Sequence, residues 1–143
     1  MRPIKRIDDR GTQLAELALV TPLLILIALL LIEGGKIARV HQVLNNAARE
    51  GARLSSLPEH HNLTADIANR VVGYAAANGV TITTANVTVD QDRTILMPDG
   101  INTSASRVAV TYTYTSTYAA AFSWLGVPTQ YPLSTNAQFR NLY

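Results

Sequence analysis

The chain has 143 residues, 48% of them hydrophobic, a formal charge of +2 and no cysteine. That is room for one modest domain plus an anchor, and it excludes disulfide staples, thiol catalysis and Cys-ligated metals. The excess charge lies in residues 1–11, where Arg2, Lys5, Arg6 and Arg10 outnumber Asp8 and Asp9, while the remainder balances eight basic against eight acidic residues. No surface follows a phosphate backbone, so no nucleic-acid partner is expected.

After this basic start, Leu17 to Ile32 contain one polar side chain, Thr21. Three readings compete. A secretory signal peptide has the basic start but needs a small-x-small cleavage site, which Ile32-Glu33-Gly34-Gly35-Lys36 does not supply. A buried core helix is disfavoured because the run is apolar all round in a chain with little to surround it. A membrane helix needs about 20 residues. Leu14 and Ala15 extend the run on one side, and Gly34, Gly35 and the stem of Lys36 on the other. The sequence therefore predicts a transmembrane helix over 12–35. Basic residues are denser before it than after it, which puts the N-terminus inside and the following domain outside the cytoplasm.

Glu16 stands at the edge of the apolar run, where a carboxylate is costly. It marks a membrane boundary or it needs a cationic partner. A cut after Gly11 would make Thr12 the first residue and Glu16 the fifth, and the new α-amine of one subunit could then neutralise Glu16 of another. A carboxylate also suits a helix N-terminus through the dipole. The Gly-x-x-x-x-Glu spacing behind a short basic leader resembles the pattern cut by type IV prepilin peptidases.

The helix is expected to continue as an amphipathic segment over 36–57. Ile37, Val40, Leu44, Ala47, Gly51 and Leu54 recur at alternating three- and four-residue steps, a helical seam. Arg39, Gln42, Asn46, Arg49 and Arg53 lie two residues on, about 200° round the helix, and form the wetted face. Pro22 removes one backbone bond and is expected to bend the helix, and Pro58 ends it. Ala47, Ala48, Gly51 and Ala52 allow close approach of another backbone. They would pack on the protein's own sheet or against a neighbouring subunit, and both readings stay open.

The stretch from Gly11 through Glu16 and Pro22, the exit Glu33-Gly34-Gly35-Lys36, and the segment Val43-Leu-Asn-Asn-Ala-Ala-Arg-Glu-Gly-Ala-Arg53 resemble the TadE-like family. These are minor pseudopilins of the tight-adherence (Flp, type IVc) pilus systems. Residues 45–53 are the most telling, since membrane physics does not dictate them. The resemblance implies a non-enzymatic protein of the bacterial inner membrane, processed at Gly11, Thr12 and Glu16. Its implied partners are a prepilin peptidase, other pilins or pseudopilins, the pilus assembly platform and the membrane. The alternative is an unprocessed, membrane-anchored extracytoplasmic binding or scaffold protein.

Residues 58–143 read as an α+β extracytoplasmic domain. A second helix is expected over Thr64–Asn78, with Thr64 as N-cap, Ile67, Val71 and Ala75 as its apolar stripe, and Gly79 at its end. Val80 and Ile82 alternate with threonines as a first strand, and Val87 and Val89 resume in opposite phase after a turn near Ala85-Asn86. The clearest strand runs from Arg107 to Thr115, with Val108, Val110, Tyr112 and Tyr114 on one face. A last strand places Leu133, Thr135, Ala137 and Phe139 together, and Pro98-Asp99-Gly100 marks a turn. The expected fold is a long N-terminal helix packed on a small, mostly antiparallel sheet, the pilin-like plan.

No catalytic constellation accompanies these elements. His41, His60 and His61 lack convergent metal-ligand spacing, and Asp90, Asp92 and Asp99 do not match a calcium loop, so no metal or cofactor is expected. Asn62, Asn86 and Asn102 begin N-x-[ST] sequons, which matter only in a glycosylating host. Trp124, in the apolar stretch Ala119 to Val127, is read as a core plug in preference to a partner contact.

Overall fold

The computed structural model describes residues 9–98 and 100–143, without the side chains of 9, 10, 121, 122 and 125. The leader before Asp9, Asp99 of the expected turn and the packing of Phe122 and Leu125 lie outside the described residues.

Helix α1 spans Asp9–Ser55 and helix α2 spans Thr64–Ala77. Strands β1 (Val87–Leu96), β2 (Asn102–Thr115) and β3 (Gln130–Arg140) follow, with 3-10 segments at Pro58–His60, Thr84–Asn86 and Ala119–Leu125. The strands form one antiparallel sheet in the order β1-β2-β3. This is the expected α+β fold, a long N-terminal helix packed on a small antiparallel sheet. The chain divides into two compact units, one ending at Gly35 and one covering Lys36–Tyr143.

In the first unit α1 is uninterrupted through Pro22. Pro22 has no N–H for the carbonyl of Ala18, and one residue earlier the hydroxyl of Thr21 donates to Leu17 O at 2.7 Å. The large side chains are outside. Leu14, Leu17, Leu19, Leu24 and Leu31 are all exposed, Leu19 to 80%. Among the described residues, α1 is the one helix long and apolar enough to cross a membrane.

In the second unit the pattern inverts. Leu44, Ala47, Ala48 and Ala52 of α1 are fully buried, together with Ile67, Val71 and Ala75 of α2, Val80 and Ile82, and Val108 and Val110 of β2. Arg39, Gln42, Asn46, Arg49 and Arg53 are all exposed. The seam read from spacing is thus the line along which α1 meets α2 and the sheet. Across the helix pair, Glu50 accepts from Arg53 at 3.4 Å and from Arg70 at 3.3 Å. These guanidinium groups hold the Glu50 carboxyl below its usual range, against a smaller opposing effect of burial.

Several details differ from the sequence expectation. Leu63, not Thr64, is the N-cap of α2, and no side chain caps that end. Its other end closes as a Schellman motif, in which Gly79 N–H donates to Ala76 O and Val80 N–H to Ala75 O. Gly79 takes φ 78°, the left-handed geometry that glycine adopts without strain. Val80–Thr83 joins no ladder, although Val80 and Ile82 are buried. Asn86 Oδ1 accepts from both the backbone N–H and the hydroxyl of Thr83, and this local turn replaces strand pairing. Trp124 is 78% exposed, so the core reading fails. It sits in the 3-10 segment that joins β2 to β3, outside the sheet. Phe139 is also exposed, while Leu133, Thr135 and Ala137 on its face are half-buried.

Candidate functional site

The residues of the expected N-terminal processing site are open. Gly11 and Thr12 lie in α1 and are exposed, and a side chain added at Gly11 would meet nothing within 4 Å. Glu16 is exposed one turn further on.

The four small residues of the seam are enclosed. Ala47, Ala48 and Ala52 show no exposure and Gly51 is buried. A methyl at Gly51 would run into Val71 Cγ2 of α2 and come within 3.3 Å of Val108 Cγ1 of β2. Glycine is therefore required where α1 meets α2 and the sheet at once. The structure places all four residues against the protein's own elements.

A third group was not foreseen, at the C-terminal end of α1. The last carbonyls of a helix have no intrahelical partner, and here the rest of the chain supplies donors. Ser55 O accepts from Gln91 Nε2 at 3.3 Å and lies 3.0 Å from Ser106 Oγ. Ser56 O accepts from Leu142 N–H at 2.9 Å. Asn141, buried next to the C-terminus, donates to Gln91 O at 2.8 Å and to Ser104 Oγ at 2.7 Å, while its Oδ1 lies 2.7 Å from Ser106 Oγ. Gln91 also donates to His60 O at 2.9 Å and accepts from Asn62 N–H at 2.8 Å.

A β-bulge makes this clasp. The β1–β2 register slips between Asp90 and Arg93, so Gln91 and Asp92 stand opposite Ser106 alone. The only signals in the sequence were polar residues inside a strand pattern, and their partners lie 29 to 52 residues away.

The histidines do not converge. His41 is exposed, His60 is half-buried, and His61 packs its ring against Tyr143 with centroids 4.4 Å apart. Asp90 and Asp92 lie in β1 and belong to no calcium-type loop. Among the described residues, no three His, Cys, Asp or Glu side chains are grouped to hold a metal.

The fold and these positions define a small α+β domain on a helix able to cross a membrane, with Gly11, Thr12 and Glu16 exposed and a closed core seam. Residues 11–53 match the family model described as TadE-like protein. The chain therefore carries a TadE-like segment that begins at Gly11 and ends at Arg53. No curated protein and no solved structure matches the chain.

Proposed function

We propose that this protein is a minor pseudopilin that takes part in assembling a tight-adherence (Flp-type) pilus. It is anchored in the bacterial inner membrane with its N-terminus cytoplasmic and its domain outside, and a prepilin peptidase cuts it after Gly11. The observation that carries the reading is the TadE-like match, which starts at Gly11 and runs through Glu16, the apolar helix and the segment 45–53. Its work is association, and the chemistry belongs to the peptidase.

The enclosure of Ala47, Ala48, Gly51 and Ala52 narrows how it associates. That stripe is occupied by the protein's own α2 and β2. Contacts with other pilins then fall to residues before Lys36, where apolar side chains are exposed. Close packing of such helices in lipid is stabilised by van der Waals contact and by pairing of polar groups. Glu16 is the carboxylate there, and the α-amine of a processed neighbour is its partner.

Mass spectrometry of the protein purified from cells with an active prepilin peptidase tests the cut. A mature N-terminus at Thr12, lost in Gly11→Ala, is expected. An intact leader in such cells would favour the unprocessed, anchored scaffold instead. Glu16→Ala should leave cleavage largely intact and reduce piliation, and unchanged piliation removes Glu16 from the assembly mechanism.

A further inference from the structure

Trp124 is the chain's one tryptophan, and 78% of it is in the open. Its segment carries no charge. From Val108 to Phe139 there is no Asp, Glu, Lys or Arg, and the stretch from Tyr118 to Val127 reads YAAAFSWLGV. The base of this loop is pinned. Thr115 pairs with Gln130, Ser116 N–H donates to Thr129 O at 2.9 Å, and Ser116 Oγ accepts from Ala119 N–H at 3.0 Å. The loop therefore leaves the sheet at one defined end.

That end is marked by Lys36. Its ammonium lies over the Tyr118 ring, 4.5 Å from the centroid, at the foot of the Trp124 loop. Lys36 is also the fourth residue after Ile32, the last of the apolar run. On a helix that is a rise of about 6 Å, so a spanning apolar run leaves Lys36 at the headgroup layer. The opposite end of the domain is marked by Ser55 and Ser56, where the C-terminus docks through Leu142 N–H. Lys36 and Ser55 are about 30 Å apart along α1.

We infer that the loop Tyr118–Val127 is a membrane-surface anchor, with Trp124 seated at the lipid interface beside the exit of the helix. The occupant is lipid, because the loop's foot contacts the residue that leaves the bilayer. Tryptophan and tyrosine concentrate at that depth, where an apolar ring and a polar N–H or O–H are both satisfied. An uncharged loop enters the interface without desolvating an ion. Two contacts with the membrane, the helix and the loop, restrain the domain's tilt and so the face it offers to an incoming subunit.

The inference rests on the membrane-spanning reading of α1, and one preparation separates the two. Full-length protein is reconstituted into phosphatidylethanolamine/phosphatidylglycerol vesicles, and Trp124 fluorescence is read directly, as no other tryptophan contributes. Blue-shifted emission is expected, with strong quenching by lipids brominated near the headgroup and several-fold weaker quenching by aqueous acrylamide than in denatured protein. A Trp124→Phe, Leu142→Trp variant moves the probe to the far end, where the native side chain is 68% exposed. Its emission should stay red-shifted, acrylamide-accessible and insensitive to brominated lipid.

A Leu24→Cys reporter, unique because the chain has no cysteine, should resist maleimide until detergent is added. Labelling without detergent overturns the spanning reading itself. A protected Leu24→Cys with a water-quenched Trp124 overturns the anchor alone. Trp124 shielded from acrylamide yet untouched by brominated lipid assigns it to a protein contact and also overturns the anchor. Equal lipid quenching at Trp124 and at the Leu142→Trp position indicates unspecific adsorption and does the same.

Discussion

Helix α1 holds two regions of one secondary structure with opposite surroundings. Before Gly35 most of its leucines and isoleucines are exposed. After Lys36 its buried face is built from Leu44 and a run of Ala and Gly. Size explains the difference. Large side chains suit a helix solvated by lipid tails, which bury them whichever way they point. Small ones suit a helix whose backbone lies close to another helix and to a sheet. The more hydrophobic half therefore does little for the domain's stability, and the blander half carries it.

Substitutions can break or sharpen that contrast, most strongly at Leu44. Leu44→Ala removes a fully buried side chain and should cost about 2–5 kcal/mol, read by denaturant unfolding of the domain in detergent or nanodiscs. Leu19→Ala, the same chemical change at an exposed position, should leave that transition where it is. Equal losses at both would mean that the two halves of α1 do not differ.

Gly51→Ala comes next. Replacing a helical glycine gains about 1 kcal/mol of intrinsic propensity, but the methyl meets Val71 and Val108. Overpacking of this kind costs about 1–3 kcal/mol, so a lowered unfolding midpoint is expected, partly restored by Val71→Ala. The same exchange at Gly35, which has open space around it, should not lower the domain's stability.

Asn141→Ala breaks the clasp and removes one partner each from buried groups of Ser106 and Gln91. A loss of about 1–3 kcal/mol is expected, with faster amide exchange at Leu142 and at the end of α1. Normal exchange at Leu142 would show that the C-terminus is held without it.

The smallest effect is electrostatic. Because Arg53 and Arg70 lower the folded pKa of Glu50, its contribution is complete above the usual carboxylate range. It is lost as pH falls through the lowered value. Both guanidinium groups are more than half exposed, so screening limits the contribution to about 0.5 kcal/mol or less. Acid titration of stability should flatten slightly in Glu50→Gln and in high salt.

Much of this molecule was legible in its sequence because the relevant forces are local. Helical spacing placed Leu44, Ala47 and Gly51 on one face and five polar residues on the other. Two-residue alternation placed Val108, Val110 and Tyr114 together on β2. The segment Asn45 to Arg53, added to the apolar run and its Gly11/Glu16 entrance, carried the TadE-like resemblance. Tertiary structure decided the rest. It placed the small-residue seam inside the protein's own core, put Trp124 in the open, and joined Gln91, Ser106 and Asn141 around the last carbonyls of α1. Spacing along a chain determines which residues share a face. Which element comes to cover that face depends on contacts between residues far apart in sequence, and no periodicity encodes them.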